Sequence, residues 1–301
     1  MWHLISQRLS LALFLFYLAL FPGSTIVVAL GQVPAWGAWM GGALLLLQGA
    51  IVLRWLIESY DQRGAVAAAL VFLLGWGVEY LGVTTSVPFG YYRYTEALQP
   101  HLPGAVPLAI PCAWLMVAVG ADNFRFLIFD FRLDDDDSVK NLQSKIQNGI
   151  VVATLVLLLD LQLETVATHI SRYWIWLESG LYYGVPIANF VAWWLFGLIM
   201  AAALAHQLHG KSPKSGRGRA LWFVIRCDRP GTTDHGPMTR HVSRITQHIP
   251  AYLYLLNTLM FTAINLARGY IIAGLIGVAV LIASMWALAL AERRNRLAIG
   301  N

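Results

Sequence analysis

Two acidic residues stand one helical turn apart in an otherwise apolar stretch, "LLLDLQLETVATH", at residues 157–169. The spacing of Asp160 and Glu164 places both side chains on one face of a helix. In a membrane, an ionised carboxylate near the bilayer centre costs at least about 2.5–3.5 kcal/mol, so such acids usually face the bundle interior and serve a function. If this stretch crosses a bilayer, it predicts a polar site inside the protein.

The composition favours a membrane protein. The chain has 301 residues, of which 58% are hydrophobic and 12% are charged, with a mean hydropathy of +0.60. Soluble domains are typically about 25% charged. Runs of about 20 apolar residues match the hydrocarbon thickness of a bilayer. We therefore predict an all-α, polytopic membrane bundle that forms a single domain over residues 1–301, with a basic loop at 207–249. The predicted spans are 11–31, 39–57, 65–83, 106–124, 149–165, 182–206, 250–267 and 270–290.

The basic residues predict the orientation of these eight spans. With both termini in the cytoplasm, 18 of the 21 Lys and Arg residues fall in inner segments, and only Arg93, Arg172 and Arg268 fall outside. This asymmetry is typical of multi-pass proteins of the cell membrane. The net charge of +5 does not indicate nucleic-acid binding, because the basic residues lie in loops beside apolar runs.

Four polar residues on three predicted spans reach similar depths. With a rise of 1.5 Å per residue, Asp160, Glu164 and Glu79 lie roughly 16, 22 and 21 Å from the cytoplasmic ends of their spans, and Asn189 about 10 Å below the outer face. All four fall in the outer half of the bilayer, so they are expected to meet there. The alternative is that the acids bond neighbouring helices or lie at the wet interface.

Two aromatic segments rich in Gly and Pro flank these positions. They are "TTSVPFGYYRYTEALQPHLPGAVPLAIP" and "RYWIWLESGLYYGVPIANFVAWW". Both are compatible with an aromatic belt at headgroup depth and with a partly re-entrant lid over a cavity. The candidate substrate-binding residues are Trp76, Phe89, Tyr91, Tyr92, Asn189 and Trp193.

A dry aromatic cavity with carboxyl groups suits proton chemistry on a lipid-soluble substrate. A protonated carboxyl group can protonate an alkene, and an ionised one can deprotonate water. Aromatic faces stabilise the intermediate carbocation. The same acids could instead form the proton relay of a carrier for a lipid-like solute.

Motifs for other chemistries are missing from the sequence. An intramembrane prenyltransferase should carry paired acidic motifs for Mg²⁺, but "DDDD" at 134–137 has no second motif, and we interpret it as a solvated charge run. The chain has no HExxH motif, phosphate-binding loop, G-x-S-x-G motif or Cys/His cluster. We therefore predict that neither a metal ion nor an organic cofactor is needed.

Three stretches resemble the carotenoid biosynthesis membrane family, which contains γ-carotene 1′-hydratase and bisanhydrobacterioruberin hydratase. They are "EYLGVTTSVPFGYYRYTEALQPHLPGAVPLAIPCAW", "DLQLETVA" and "YWIWLESGLYYGVPIANFVAWW". The resemblance runs from about residue 65 to residue 290. One departure is that Glu164 is followed by Thr165, where the family pattern leads us to expect Pro.

The resemblance implies a carbon–oxygen lyase that adds water across the terminal (1,2) double bond of an acyclic carotenoid ψ-end. The implied substrate is γ-carotene or a lycopene-derived carotenoid, and the implied partners are the lipid bilayer and other enzymes of the pathway. It matches Glu79, Asp160 and Glu178 to the family's acidic positions, and Glu164 completes the predicted catalytic set. One of Glu79 and Asp160 is expected to donate the proton, while the other, or Glu164, handles water. The matching loop residues are Pro88, Gly90, Gly184, Pro186 and Asn189.

Overall fold

The computed structural model describes residues 2–128, 138–209 and 245–299, which are mostly helical. The α-helices in these ranges are α1 (Trp2–Ala29), α2 (Met40–Tyr60), α3 (Gln62–Thr85), α4 (Ala109–Ile128), α5 (Ser138–Thr165), α6 (Ile187–Leu204), α7 (Ile249–Ala267) and α8 (Ile271–Ile299). The acidic run 134–137 and most of the predicted basic loop lie outside the described residues, so those two predictions remain untested.

Seven of the described helices, all except α4, are long and apolar enough to cross a membrane. Helix α4 corresponds to the predicted span 106–124 and lies at the centre of the bundle, where it packs against α2, α3, α5 and α7. Nearly every residue of α4 from Ala109 to Arg125 is buried, as expected for a helix that is surrounded by others. The predicted all-α polytopic membrane architecture is thereby confirmed.

The sixth predicted span starts too early. Helix α6 begins at Ile187 rather than at residue 182, because Pro186 is its extended N-cap residue. Before it, Tyr182 and Val185 pair across a turn, and Gly184 has a φ of +81°. A residue that precedes proline is biased away from the helical region, so the aromatic run 182–186 cannot extend the helix.

Helix α5 ends without the expected proline. It passes from Thr165 into a single π-helical turn, Val166–Ile170. The Thr165 hydroxyl hydrogen-bonds both Gln162 O in its own helix and the Asn265 side chain of α7. Irregular π turns of this kind are frequent at functional sites. Contacts with the neighbouring helix therefore hold this end of α5.

Short strands connect the helices at the end of the bundle that the topology prediction places outside. Strand β1 (Tyr92–Tyr94) is antiparallel to β4 (Trp174–Trp176), and β2 (His101–Leu102) is antiparallel to β3 (Val106–Pro107). In the β1–β4 ribbon, Tyr92 lies opposite Trp176 and Tyr94 lies opposite Trp174. Successive strand side chains point to opposite faces, so these four aromatic residues share the face that points towards the bundle.

Candidate active site

A cavity of about 640 Å³ opens between the helices beneath the β1–β4 ribbon. Its walls include α1, α2, α5, α6 and α7, and most of its lining side chains are apolar or aromatic. Glu79 and Glu164 are the two acidic residues that line it. A concave, mainly apolar pocket with a few convergent polar groups is the usual form of a small-molecule site.

Glu79 receives hydrogen bonds on both carboxylate oxygens. Its Oε2 accepts from the hydroxyls of Tyr92 and Tyr94, each at 2.6 Å. Its Oε1 accepts from Trp114 Nε1 at 2.9 Å. Glu79 is only 4% exposed, so these three donors replace the water that a carboxylate would otherwise bind.

The two tyrosines on Glu79 are neutral hydrogen-bond donors. Burial, reinforced by the nearby Glu79 carboxylate, raises the pKa of the Tyr92 phenol above its usual range. The same two causes raise the pKa of the Tyr94 phenol. Both hydroxyls therefore keep their protons at physiological pH and present them to Glu79.

Glu164 and Asp160 share one amide group. Asn189 Nδ2 donates to Glu164 Oε1 at 3.0 Å and to Asp160 Oδ2 at 3.2 Å. The side chains of Trp174, Trp176 and Thr168 donate to the other Glu164 oxygen at 3.1–3.2 Å. All donors to this pair thus come from α6, from β4 and from the π turn after α5.

The surroundings of Asp160 differ from those of the two glutamates. Asp160 is 1% exposed, and among the described residues its Oδ1 has no hydrogen-bond partner. It does not line the cavity, although it lies close enough to Glu79 and Glu164 to interact with both electrostatically. Asp160 is therefore a buried acid directly behind the cavity wall.

Stacked aromatic rings join the two carboxyl clusters. Trp114, which donates to Glu79, stacks on Trp193 of α6 with ring centroids 3.8 Å apart and planes 17° from parallel. Tyr92 and Trp176 lie 5.1 Å apart, centroid to centroid. Tyr92, Trp176 and Trp193 line the cavity, so a positive charge that developed there would lie close to electron-rich aromatic rings.

The structure brings most of the predicted residues together. Glu79, Glu164, Phe89, Tyr92, Asn189 and Trp193 line one cavity, with Asp160 immediately behind it. Of the four residues predicted at similar depth, Asn189 hydrogen-bonds Asp160 and Glu164 directly, whereas Glu79 is bound by Tyr92, Tyr94 and Trp114. Within the described part of the chain, no three His, Cys, Asp or Glu residues are grouped so as to hold a metal ion.

Three other predicted residues lie away from the cavity lining. Trp76 donates to Pro103 O, and Tyr91 is 54% exposed. Glu178 is exposed, and its Oε1 accepts the Tyr91 backbone N–H at 3.0 Å. A Cβ on Gly90, which has a φ of +111°, would lie 2.1 Å from that oxygen. Glu178 and Gly90 together hold the start of β1 against the segment that follows β4.

Four residues of the site were not predicted. They are Tyr94, Trp114, Trp174 and Trp176. Three of them occur in "YRY" and "WIW", where the aromatic residues alternate with Arg93 and Ile175. This period-two pattern is a strand signal. It could have placed Tyr92 and Tyr94 on one face of their strand, and both tryptophans on one face of theirs.

A known protein family matches most of this sequence. The sequence profile of the family described as carotenoid biosynthesis protein matches residues 40–227, more than half of the chain. The chain belongs to this family. The matched region carries Glu79, Asp160, Glu164 and Asn189, so the carotenoid biosynthesis match includes the whole acidic cluster.

A curated relative has a more specific name. Bisanhydrobacterioruberin hydratase of Haloarcula japonica is 32% identical over 139 residues, which cover 46% of this chain and 44% of the relative. The aligned part thus spans less than half of that protein's length. No solved structure matches this member of the carotenoid biosynthesis family.

Proposed function

We propose that this protein hydrates the terminal, trisubstituted double bond at the acyclic ψ-end of a carotenoid. The main observation is a pair of wall carboxyl groups, Glu79 and Glu164, that face one apolar aromatic cavity with a third acid, Asp160, behind it. Membership of the carotenoid biosynthesis family and the hydratase relative support this choice of reaction.

The Asp160–Glu164 pair is the proposed source of the proton. Two buried carboxyl groups held on one amide repel each other strongly if both ionise, so such pairs share a proton. Glu164 lines the cavity and delivers that proton to the less substituted alkene carbon, where a C–H bond forms from the π electrons. Asp160 returns a proton to Glu164 and so acts as a positioning and storage group.

Glu79 is the proposed base. Unlike Glu164, it shares no hydrogen-bond donor with a second acid, and its three donors stabilise negative charge on its oxygens. In the proposal this charge lies opposite the tertiary carbocation formed at the more substituted carbon. A water oxygen bonds to that carbon, and its surplus proton passes to Glu79. Return of this proton to the Asp160–Glu164 pair closes the cycle, with one water consumed and no electrons exchanged.

The experiment uses membranes that contain this protein, supplied with lycopene or γ-carotene in H₂¹⁸O. We expect a product heavier by one water, with the label in a tertiary alcohol, both under anaerobic conditions and in the presence of EDTA. Membranes without the protein are the control. Oxygen taken from O₂ would identify a hydroxylase. A prenylated product whose formation needs Mg²⁺ would identify a transferase, and an unchanged pigment profile would identify a carrier. Any of these three results overturns the proposal.

A further inference from the structure

A second group of polar residues lines the cavity, farther from the outer end of the bundle than the acids. Tyr17 of α1, Gln48 of α2 and Asn257 of α7 all line it, and each is at most 2% exposed. From the helix rise, Gln48 lies roughly 12 Å and Asn257 roughly 15 Å from the outer ends of their helices, whereas Glu79 lies about 9 Å from its own. These three residues therefore line a deeper part of the cavity than the carboxylates.

One acceptor in this group lacks a protein partner. Asn257 Nδ2 donates to Gln48 Oε1 at 2.6 Å and to Leu253 O at 2.8 Å, and it also lies 3.7 Å from Met116 Sδ. Among the described residues, Asn257 Oδ1 has no hydrogen-bond partner, although its amide lies beside the Tyr17 side chain. A buried acceptor is costly unless a donor reaches it.

The chemistry of the group selects its ligand. Two amides and one phenol form a neutral hydrogen-bonding surface, in contrast to the acidic surface at Glu79 and Glu164. Such a surface binds an uncharged donor and has no counter-charge for a cation or an anion. Since the remaining lining is largely apolar, the donor must be small or attached to an apolar molecule.

We propose, building on the hydration reaction inferred above, that Tyr17, Gln48 and Asn257 form a hydroxyl-binding subsite in which Asn257 Oδ1 accepts the hydrogen. The hydroxyl belongs either to the carotenoid end group or to water that is held for addition. Both sources present the same O–H donor to the same acceptor. Tyr17 and Asn257 lie outside the segment that matches the family profile, and Gln48 lies inside it.

The two sources are distinguished by binding and by turnover in the full-length, detergent-solubilised protein. Quenching of tryptophan fluorescence reports the Kd of lycopene and of 1-hydroxylycopene, which share one polyene and differ by one hydroxyl. If the hydroxyl belongs to the carotenoid, the wild type binds 1-hydroxylycopene about three- to tenfold more tightly. Asn257→Leu then makes the two Kd values equal.

If the hydroxyl belongs to water, both carotenoids bind wild type equally, and Asn257→Leu slows lycopene conversion about tenfold at an unchanged Kd. The matched control is Thr258→Val, because the buried Thr258 hydroxyl donates to Tyr254 O within its own helix and does not line the cavity. If Asn257→Leu does not accumulate, Tyr17→Phe, which keeps the ring, serves as the second variant. It should change the Kd ratio or the rate of lycopene conversion in the same direction as Asn257→Leu.

The subsite is refuted if Asn257→Leu, or Tyr17→Phe in its place, matches Thr258→Val both in the ratio of the two Kd values and in the rate of lycopene conversion. Selective binding of 1-hydroxylycopene by a wild-type protein that hydrates no carotenoid would instead refute the proposed function and leave the subsite in place.

Discussion

Tyr92 and Trp176 lie opposite each other in the β1–β4 ribbon, and each donates a hydrogen bond to a different buried acid. Tyr92 donates to Glu79 of α3, and Trp176 donates to Glu164 of α5. The ribbon register thus sets the positions of two carboxylates on two separate helices.

Glu79 and Glu164, which line the cavity, should contribute more to turnover than Asp160, which lies behind it. Glu79→Gln and Glu164→Gln each keep side-chain size but remove a proton-transfer group, so hydration should fall by about 10²–10⁴-fold. Asp160→Asn should cost about tenfold, because Asp160 acts only through Glu164. Initial rates, normalised to protein in the membrane, measure all three. A larger loss in Asp160→Asn than in Glu164→Gln would reverse the assigned roles.

Asp160 and Glu164 should behave as one unit, since Asn189 binds both. The double variant Asp160→Asn with Glu164→Gln should lose little more activity than Glu164→Gln alone. The same assay measures it, and multiplicative losses would show that the two acids act independently.

Variants of Glu178 can test whether this residue positions the start of β1 or takes part in catalysis. Glu178→Gln keeps a side-chain oxygen that can accept the Tyr91 backbone N–H, so a positioning role predicts turnover within about twofold of wild type. Glu178→Ala should lower activity and thermal stability together. A loss of more than about 10²-fold in Glu178→Gln, in protein of normal stability, would place Glu178 among the catalytic acids.

The phenol of Tyr92 should contribute to turnover through Glu79. Tyr92→Phe keeps the ring but removes a hydrogen bond to a charged group, of the order of 1.5–3 kcal/mol, so the rate should fall about tenfold or more. Tyr91→Phe is the matched control, because Tyr91 is exposed and does not line the cavity. Equal rates in the two variants would contradict a role for the Tyr92–Glu79 contact.

Helix α3 provides a second test of the same contact. A Cβ on Gly82 would lie 2.6 Å from a Phe89 ring carbon and 2.8 Å from the Tyr92 hydroxyl, whereas one on Gly77 has no atom within 4 Å. Gly82→Ala should displace Tyr92 from Glu79 and lower turnover, while Gly77→Ala should leave it unchanged and slightly favour the helix. Parallel rate and thermal-stability measurements on both variants check this.

The orientation can be measured at described positions in a Cys112→Ala, Cys227→Ala background. Leu181→Cys lies in the turn before α6, where Leu181 is 93% exposed, and Lys145→Cys lies in the polar start of α5. A membrane-impermeant maleimide should label the first in intact cells and the second only after permeabilisation. The opposite pattern would invert the topology.

The sequence by itself determined the class of protein, the helices and the acids. Apolar length and low charge require membrane helices, and the cost of burying Asp160, Glu164 and Glu79 in lipid directs them into the bundle. Residue spacing and helix rise predicted similar depths for the three acids, because depth follows from position within a single helix. The depth predicted for Asn189 was counted from residue 182, whereas α6 begins at Ile187.

Only the tertiary structure decided which side chains complete the site. The pairing of β1 with β4 joins segments about 80 residues apart, and no local period reveals which strand faces which. That pairing places Trp174 and Trp176 on Glu164, and helix packing places Trp114 on Glu79. It also decides that Glu164 lines the cavity while Asp160, one turn away on the same helix, lies behind it. Asp160 and Glu164 are about 6 Å apart along one helix, so the sequence does not show which of them lines the cavity. The neighbouring helices determine which side of each turn remains open.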